Sequence, residues 1–164
     1  MDFAWFSLEA PGTVANDETR GAQLVGSVET FDHTADVGLK ITGDDLDDLF
    51  RTAAQAVFDY IVVNRDDVRG DHRESFSLNA DSPGELLTTW LNELIYRSET
   101  QHRLYAAFDV RVAEDGRHLQ AEIAGEPIDP ARHVLDHEVK AVTHHGLSLQ
   151  HEGSAWIAEM ILDI

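Results

Sequence analysis

The chain has no cysteine at all. That excludes disulfides, thiolate metal sites and cysteine nucleophiles, and it leaves the redox compartment open. Lysine is almost missing: Lys40 and Lys140 are the two in 164 residues. No apolar run approaches the roughly 20 residues that span a bilayer. The first residues, Met1-Asp2-Phe3-Ala4-Trp5, lack the basic start of a signal peptide, so a soluble cytoplasmic protein is expected. Also missing are a phosphate-cradling glycine loop, Gly-x-Ser-x-Gly and His-Glu-x-x-His, the common signatures of nucleotide, acyl-transfer and zinc chemistry.

Acid is abundant. The net charge is −19 at pH 7, and such a surface repels phosphate backbones. Strong direct binding to nucleic acid is therefore not expected. Excess acid with scarce lysine points to a salt-rich, halophilic cytosol, where screening shortens to about 3 Å at 1 M salt. An acidic face for a basic protein partner is the other reading, and the two are compatible.

At 43% hydrophobic residues, the chain can bury a sizeable core, and its length suits one domain. Residues 1–29 show no sustained period and are expected to form a flexible acidic extension, including Phe3, Trp5, Phe6 and Leu8. From residue 30 onward the pattern is regular. Leu46, Leu49, Phe50, Ala53, Val57, Tyr60 and Ile61 have helical spacing. Asp44, Asp45, Asp47 and Asp48 stand where the positive end of that helix favours acids. Ser82-Pro83-Gly84-Glu85 is a capping box that opens a second helix, with Trp90 on its core face and Asn92, Glu93 and Arg97 off it. Elsewhere apolar residues alternate. Asp115-Gly116 and Glu152-Gly153 mark hairpins. The expected fold is α+β: a mainly antiparallel sheet with two packed helices.

Two places suggest chemistry. In Phe31-Asp32-His33-Thr34-Ala35-Asp36, ionisable groups crowd ahead of a strand, as a solvated turn or as part of a metal site. The last residues form a strand ending in Asp163-Ile164. If Asp36 meets Asp163 and the terminal carboxylate, three negative groups converge, and a hard cation such as Ca²⁺, Mg²⁺ or Mn²⁺ would hold them together. An ordinary edge strand is the alternative. Lys140 is either an edge-strand charge or a donor to phosphate or carboxylate. His144 and His145, adjacent on a strand, point to opposite faces and are each expected to be buried and hydrogen-bonded.

Four motifs in this order resemble the archease family. They are His33-Thr34-Ala35-Asp36 with Val37-Gly38-Leu39, Trp90-Leu91-Asn92-Glu93-Leu94-Ile95-Tyr96, the stretch from Glu138 to Leu147, and the closing Ile161-Leu162-Asp163-Ile164. The resemblance covers residues 30–164. It implies a protein that activates the RtcB-type, GTP-dependent RNA ligase of tRNA splicing. Such a protein promotes guanylylation of the ligase histidine and repeated turnover without catalysis of its own. It further implies a divalent metal, Ca²⁺ foremost, on Asp36, Asp163 and Ile164, and a functional role for Lys140. Asp32 and His33 are then expected to shape the turn. A stand-alone metal-dependent hydrolase and a structural interaction module are the competing classes.

The charge balance makes the first prediction. In KCl below about 0.1 M, self-repulsion is less screened. The melting temperature is expected to be lower there than in molar KCl; equal values across that range would remove the halophilic reading.

Overall fold

The computed structural model describes residues 26–33 and 36–164. Phe3, Trp5, Phe6 and Leu8, the linking residues Thr34 and Ala35, and the side chains of Asp32 and His33 lie outside the described residues. The elements run β1 (Ser27–His33), β2 (Asp36–Gly43), α1 (Leu46–Ile61), β3 (His72–Asn79), α2 (Pro83–Gln101), β4 (Arg103–Val112), β5 (His118–Pro127), β6 (Ala141–Glu152) and β7 (Ala155–Asp163). The fold is α+β, as expected. Its strands form two antiparallel sheets rather than one: β1-β2-β7-β6 and β3-β5-β4.

The helices explain the second sheet. In α1, Leu49, Phe50, Ala53, Ala54, Val57 and Phe58 are all fully buried. That face is wider than the single stripe one sheet would cover. The helix packs on β4 of one sheet and β2 of the other, while α2 lies mainly against β6. Trp90 sits in this shared core, and its indole N–H donates to the Phe50 carbonyl at 3.0 Å, tying α2 to α1. A buried Trp needs such a partner for its polar end.

The acid run before α1 caps and anchors the helix. Asp45 accepts from the Asp48 N–H at 2.7 Å. Asp48 accepts from the Asp44 N–H at 3.1 Å, and Asp47 reaches across to the Val112 N–H at 2.6 Å. At α2, Ser82 accepts from the Glu85 N–H at 3.2 Å. Glu85 reaches back to the Asp81 N–H at 3.1 Å, one residue earlier than a capping box requires. Gly116 and Gly153 turn their hairpins with φ of 68° and 62°, a region that favours glycine. A third hairpin, β1–β2, begins at Ser27, ahead of residue 30 where the family motifs start.

Segment 128–135 is tied to the core through Glu126. This carboxylate is 5% exposed and accepts from the Arg69 N–H at 2.7 Å, from the Arg132 guanidinium and from His133 Nε2 at 3.1 Å. His133 Nδ1 accepts from the Asp129 N–H at 2.9 Å, so Nε2 carries the proton given to Glu126. Burial alone would raise the Glu126 pKa, but the Arg69, Arg132 and His133 hydrogen bonds outweigh it and hold the group below the usual carboxylate range. A depressed folded pKa stabilises the fold above the unfolded value, near 4.3, and that stability is lost as pH falls through the folded value. Glu126→Gln is accordingly expected to lower the melting temperature at neutral pH and to flatten its decline on acidification. A variant that parallels wild type at every pH would show that this carboxylate does not contribute.

Candidate functional site

The site is built by the two central strands of the larger sheet. The pairs Val37↔Leu162, Leu39↔Met160 and Ile41↔Ala158 stand opposite each other across β2 and β7. Leu39, Ile41, Ala158, Met160 and Leu162 have almost no exposure. Strand alternation therefore sends Asp36, Gly38, Lys40, Glu159, Ile161 and Asp163 to the outer face. Lys40 and Glu159, half-exposed, approach to 3.9 Å there, a pair that contributes little. Continuing the register one residue past Val37↔Leu162 puts Asp36 opposite Asp163. Directly opposed carboxylates repel across a sheet.

The hairpin that presents Asp36 has its own lock. Phe31 pairs with Gly38, and a Cβ at residue 38 would lie 2.0 Å from the Phe31 ring. The ring lies on the glycine, so the aromatic covers a position that has no side chain to pack. This contact fixes β1 on β2 and with it the start of β2.

Lys140 comes to the same end of the sheet from β6. Its N–H donates to the Asp163 carbonyl at 2.8 Å, beside the Ala141↔Asp163 pair. Its ammonium Nζ lies 3.1 Å from the Ile164 main-chain oxygen. The strand register thus brings Asp36, Asp163, Ile164 and Lys140 to one end of the sheet. Lys140 itself precedes β6 and is exposed.

Among the described residues, no three His, Cys, Asp or Glu side chains group as a metal site. Asp36 and Asp163 would supply two carboxylates, and the main-chain oxygen of Ile164, next to Asp163 in the chain, would be a further donor. The donor set is all oxygen, which fits Ca²⁺, Mg²⁺ or Mn²⁺ rather than a softer metal.

One sequence expectation needs revision. His144 and His145 are both exposed rather than buried. The β6–β7 register breaks between Thr143 and Ser148, and Gly146 takes φ 72°, so the strand bulges there and lifts both histidines off the sheet. Asn92 lies off the apolar face of α2, as expected, and has a further task there. Its amide donates to the Val142 carbonyl at 2.9 Å, and its oxygen accepts from the Val142 N–H at 2.8 Å. One side chain thereby pairs with edge strand β6 as another strand would. A polar residue between Leu91 and Leu94 was the available signal.

Comparison with known proteins bears on this architecture. The model of the Archease protein family matches residues 29–164. The chain is 34% identical over 138 residues to a protein archease of Methanopyrus kandleri, covering 83% of this chain and 98% of that one. It is 31% identical over 139 residues to that of Pyrococcus abyssi, with 83% and 97% covered. The solution structure of Methanobacterium thermoautotrophicum protein 1598 superposes with a TM-score of 0.68 at 30% identity, covering 84% of this chain and 98% of that one. A Thermotoga maritima crystal structure, described as an archease and possible chaperone, has the same fold with a TM-score of 0.56 at 16% identity, over 83% of this chain and 96% of that one.

Asn92 carries the prediction here. Asn92→Ala leaves the Val142 N–H and carbonyl without partners in a part-buried place, at a cost of about 1–3 kcal/mol. Urea denaturation is expected to show that loss, with amide exchange rising along β6 near Lys140. Unchanged stability would mean water replaces the side chain fully.

Proposed function

The chain belongs to the archease family, and from that premise we propose that it is an accessory protein without turnover of its own. Its partner in this reading is an RtcB-type, GTP-dependent RNA ligase of tRNA splicing, in the cytoplasm. It promotes transfer of GMP to the ligase histidine and restores repeated turnover. One observation supports this above the others: the strand register brings Asp36, Asp163, Ile164 and Lys140 to one end of the sheet, with the Lys140 ammonium 3.1 Å from an Ile164 oxygen.

Asp36, Asp163 and the Ile164 oxygen are the proposed holders of a divalent cation, with Ca²⁺ favoured. Such an ion, when bound, relieves the repulsion of the opposed carboxylates and offers a hard positive centre. The chain's own residues do the remainder. Asp36 and Asp163 present oxygens from paired strands, so their spacing is fixed by register rather than by loops. Lys140 adds a compact cation on an exposed position, suited to phosphate or carboxylate. The net charge of −19 disfavours RNA as the direct ligand and favours a protein.

A helper of this kind needs no bond-making step. It can bias the ligase toward the conformation that holds GTP, metal and histidine in line, and a misplacement of about 1 Å in such a site costs roughly 100-fold in rate. The Thermotoga maritima relative, called a possible chaperone, accords with an assisting role.

The test is GTP-dependent guanylylation of a cognate ligase. Substoichiometric wild-type protein is expected to raise guanylylation and turnover, while the protein alone hydrolyses no GTP. Asp36→Ala and Lys140→Ala should keep the wild-type circular dichroism and lose most of the stimulation. Asp36→Asn should also weaken Ca²⁺ binding in calorimetry by at least about tenfold, or 1.4 kcal/mol. Full stimulation by both folded variants would refute the assigned residues; GTP turnover by the protein alone would favour a hydrolase.

A further inference from the structure

Away from that end of the sheet, a groove of about 280 Å³ opens between the end of α2, the start of β4 and segment 128–139. Ile95 and Leu104 form its buried floor, and Ile61, Ile128, Leu135 and Val139 its apolar walls. Leu135 is nevertheless 51% exposed, and next to it Val134 and Val63 are 55% and 63% exposed. This apolar ridge is held firmly. The Val63 N–H donates to the Val134 carbonyl at 2.8 Å and the Asp136 N–H to the Ile61 carbonyl at 2.9 Å, and Val62 bridges Leu135. Folding has fixed large apolar side chains in water around a cleft, which marks an interaction surface.

The charge of the rim selects the occupant. Glu99, Asp136 and Glu138 line the groove together with His102 and His137, the latter 3.0 Å from Asp136, and among the described residues no lysine or arginine does. We propose that the groove docks an apolar segment flanked by lysine or arginine, supplied by a protein partner. A second copy of this chain brings −19 to a negative rim. The chain's own residues 1–25 include Phe3, Trp5 and Phe6 but carry four acids against one arginine. Both are mismatched where a basic segment is complementary. Val139 ends the groove, and Lys140 follows it in the chain, so a docked segment leads toward the end of the sheet that holds Asp163. The inference does not require the partner to be the ligase.

NMR titration of the full chain tests it. The probe is a synthetic peptide alternating leucine and phenylalanine with lysine and arginine; its control has glutamate at every basic position. The basic peptide is expected to shift amides of Ile95, Leu104, Ile128 and Val139, and the acidic one is not. Leu135→Ser, at an exposed position, should lower the affinity by at least about tenfold, and so should the Asp136→Asn, Glu138→Gln pair. Equal binding of the two peptides, shifts centred elsewhere, or unchanged affinity in the variants would each overturn the proposal. So would sedimentation showing a dimer that Leu135→Ser breaks, or a deletion of residues 1–25 that newly uncovers the groove.

Discussion

Everything at the proposed site depends on the register between β2 and β7. In the observed pairing, Leu39 faces Met160 and Ile41 faces Ala158 on the core side. A slip of one residue would exchange the two faces of one strand. Met160 and Leu162 would leave the core, and Asp163 and Glu159 would enter it. Burying unpaired carboxylates costs far more than the slip could return. The apolar side of the sheet thus enforces the alignment that sends Asp36 and Asp163 to its outer side.

The same logic explains what was legible in the sequence. Helical spacing marked out α1 and the start of α2 because each has a long apolar face and a capping residue, Asp45 or Ser82; the last turns of α2, to Gln101, lie beyond the apolar spacing that ends at Ile95. The hairpins at Gly116 and Gly153 followed from turn chemistry. β1 was not visible as a strand. Val28 and Phe31 are 42% and 41% exposed, so an outer strand with little buried surface leaves weak alternation. The second sheet was hidden for a different reason. Strand signals give elements but not partners, and only the wide buried face of α1 demands cover from two sheets.

The candidate site was legible in its parts and not in its assembly. Asp36 and Asp163 are separated by most of the chain, and no local pattern states that they meet. The family resemblance supplied that grouping, and the strand order gives it a geometric route. Lys140 shows the limit of residue-type reasoning. A lone lysine between apolar residues suggested an edge charge, but its placement comes from a backbone bond to Asp163 as much as from its ammonium. Asn92 shows a related limit. Helix periodicity sorts residues by face, and it cannot tell a solvated amide from one that completes the pairing of a neighbouring strand.

Charge then divides the surface into roles. Acidic side chains near α1 are engaged as caps and anchors, and Glu126 is held by the Arg132 guanidinium, the His133 imidazole and a backbone N–H. These acids are structural. The rim acids of the groove differ, because Glu99 and Glu138 surround apolar residues that folding leaves uncovered. Like-charge crowding on a small domain opposes compactness. A basic partner would relieve it locally while covering Leu135 and Val134. In high salt the long-range part of that attraction is screened to a few ångströms, so recognition there rests on direct contact: apolar burial in the groove, with charge deciding which apolar segments are admitted.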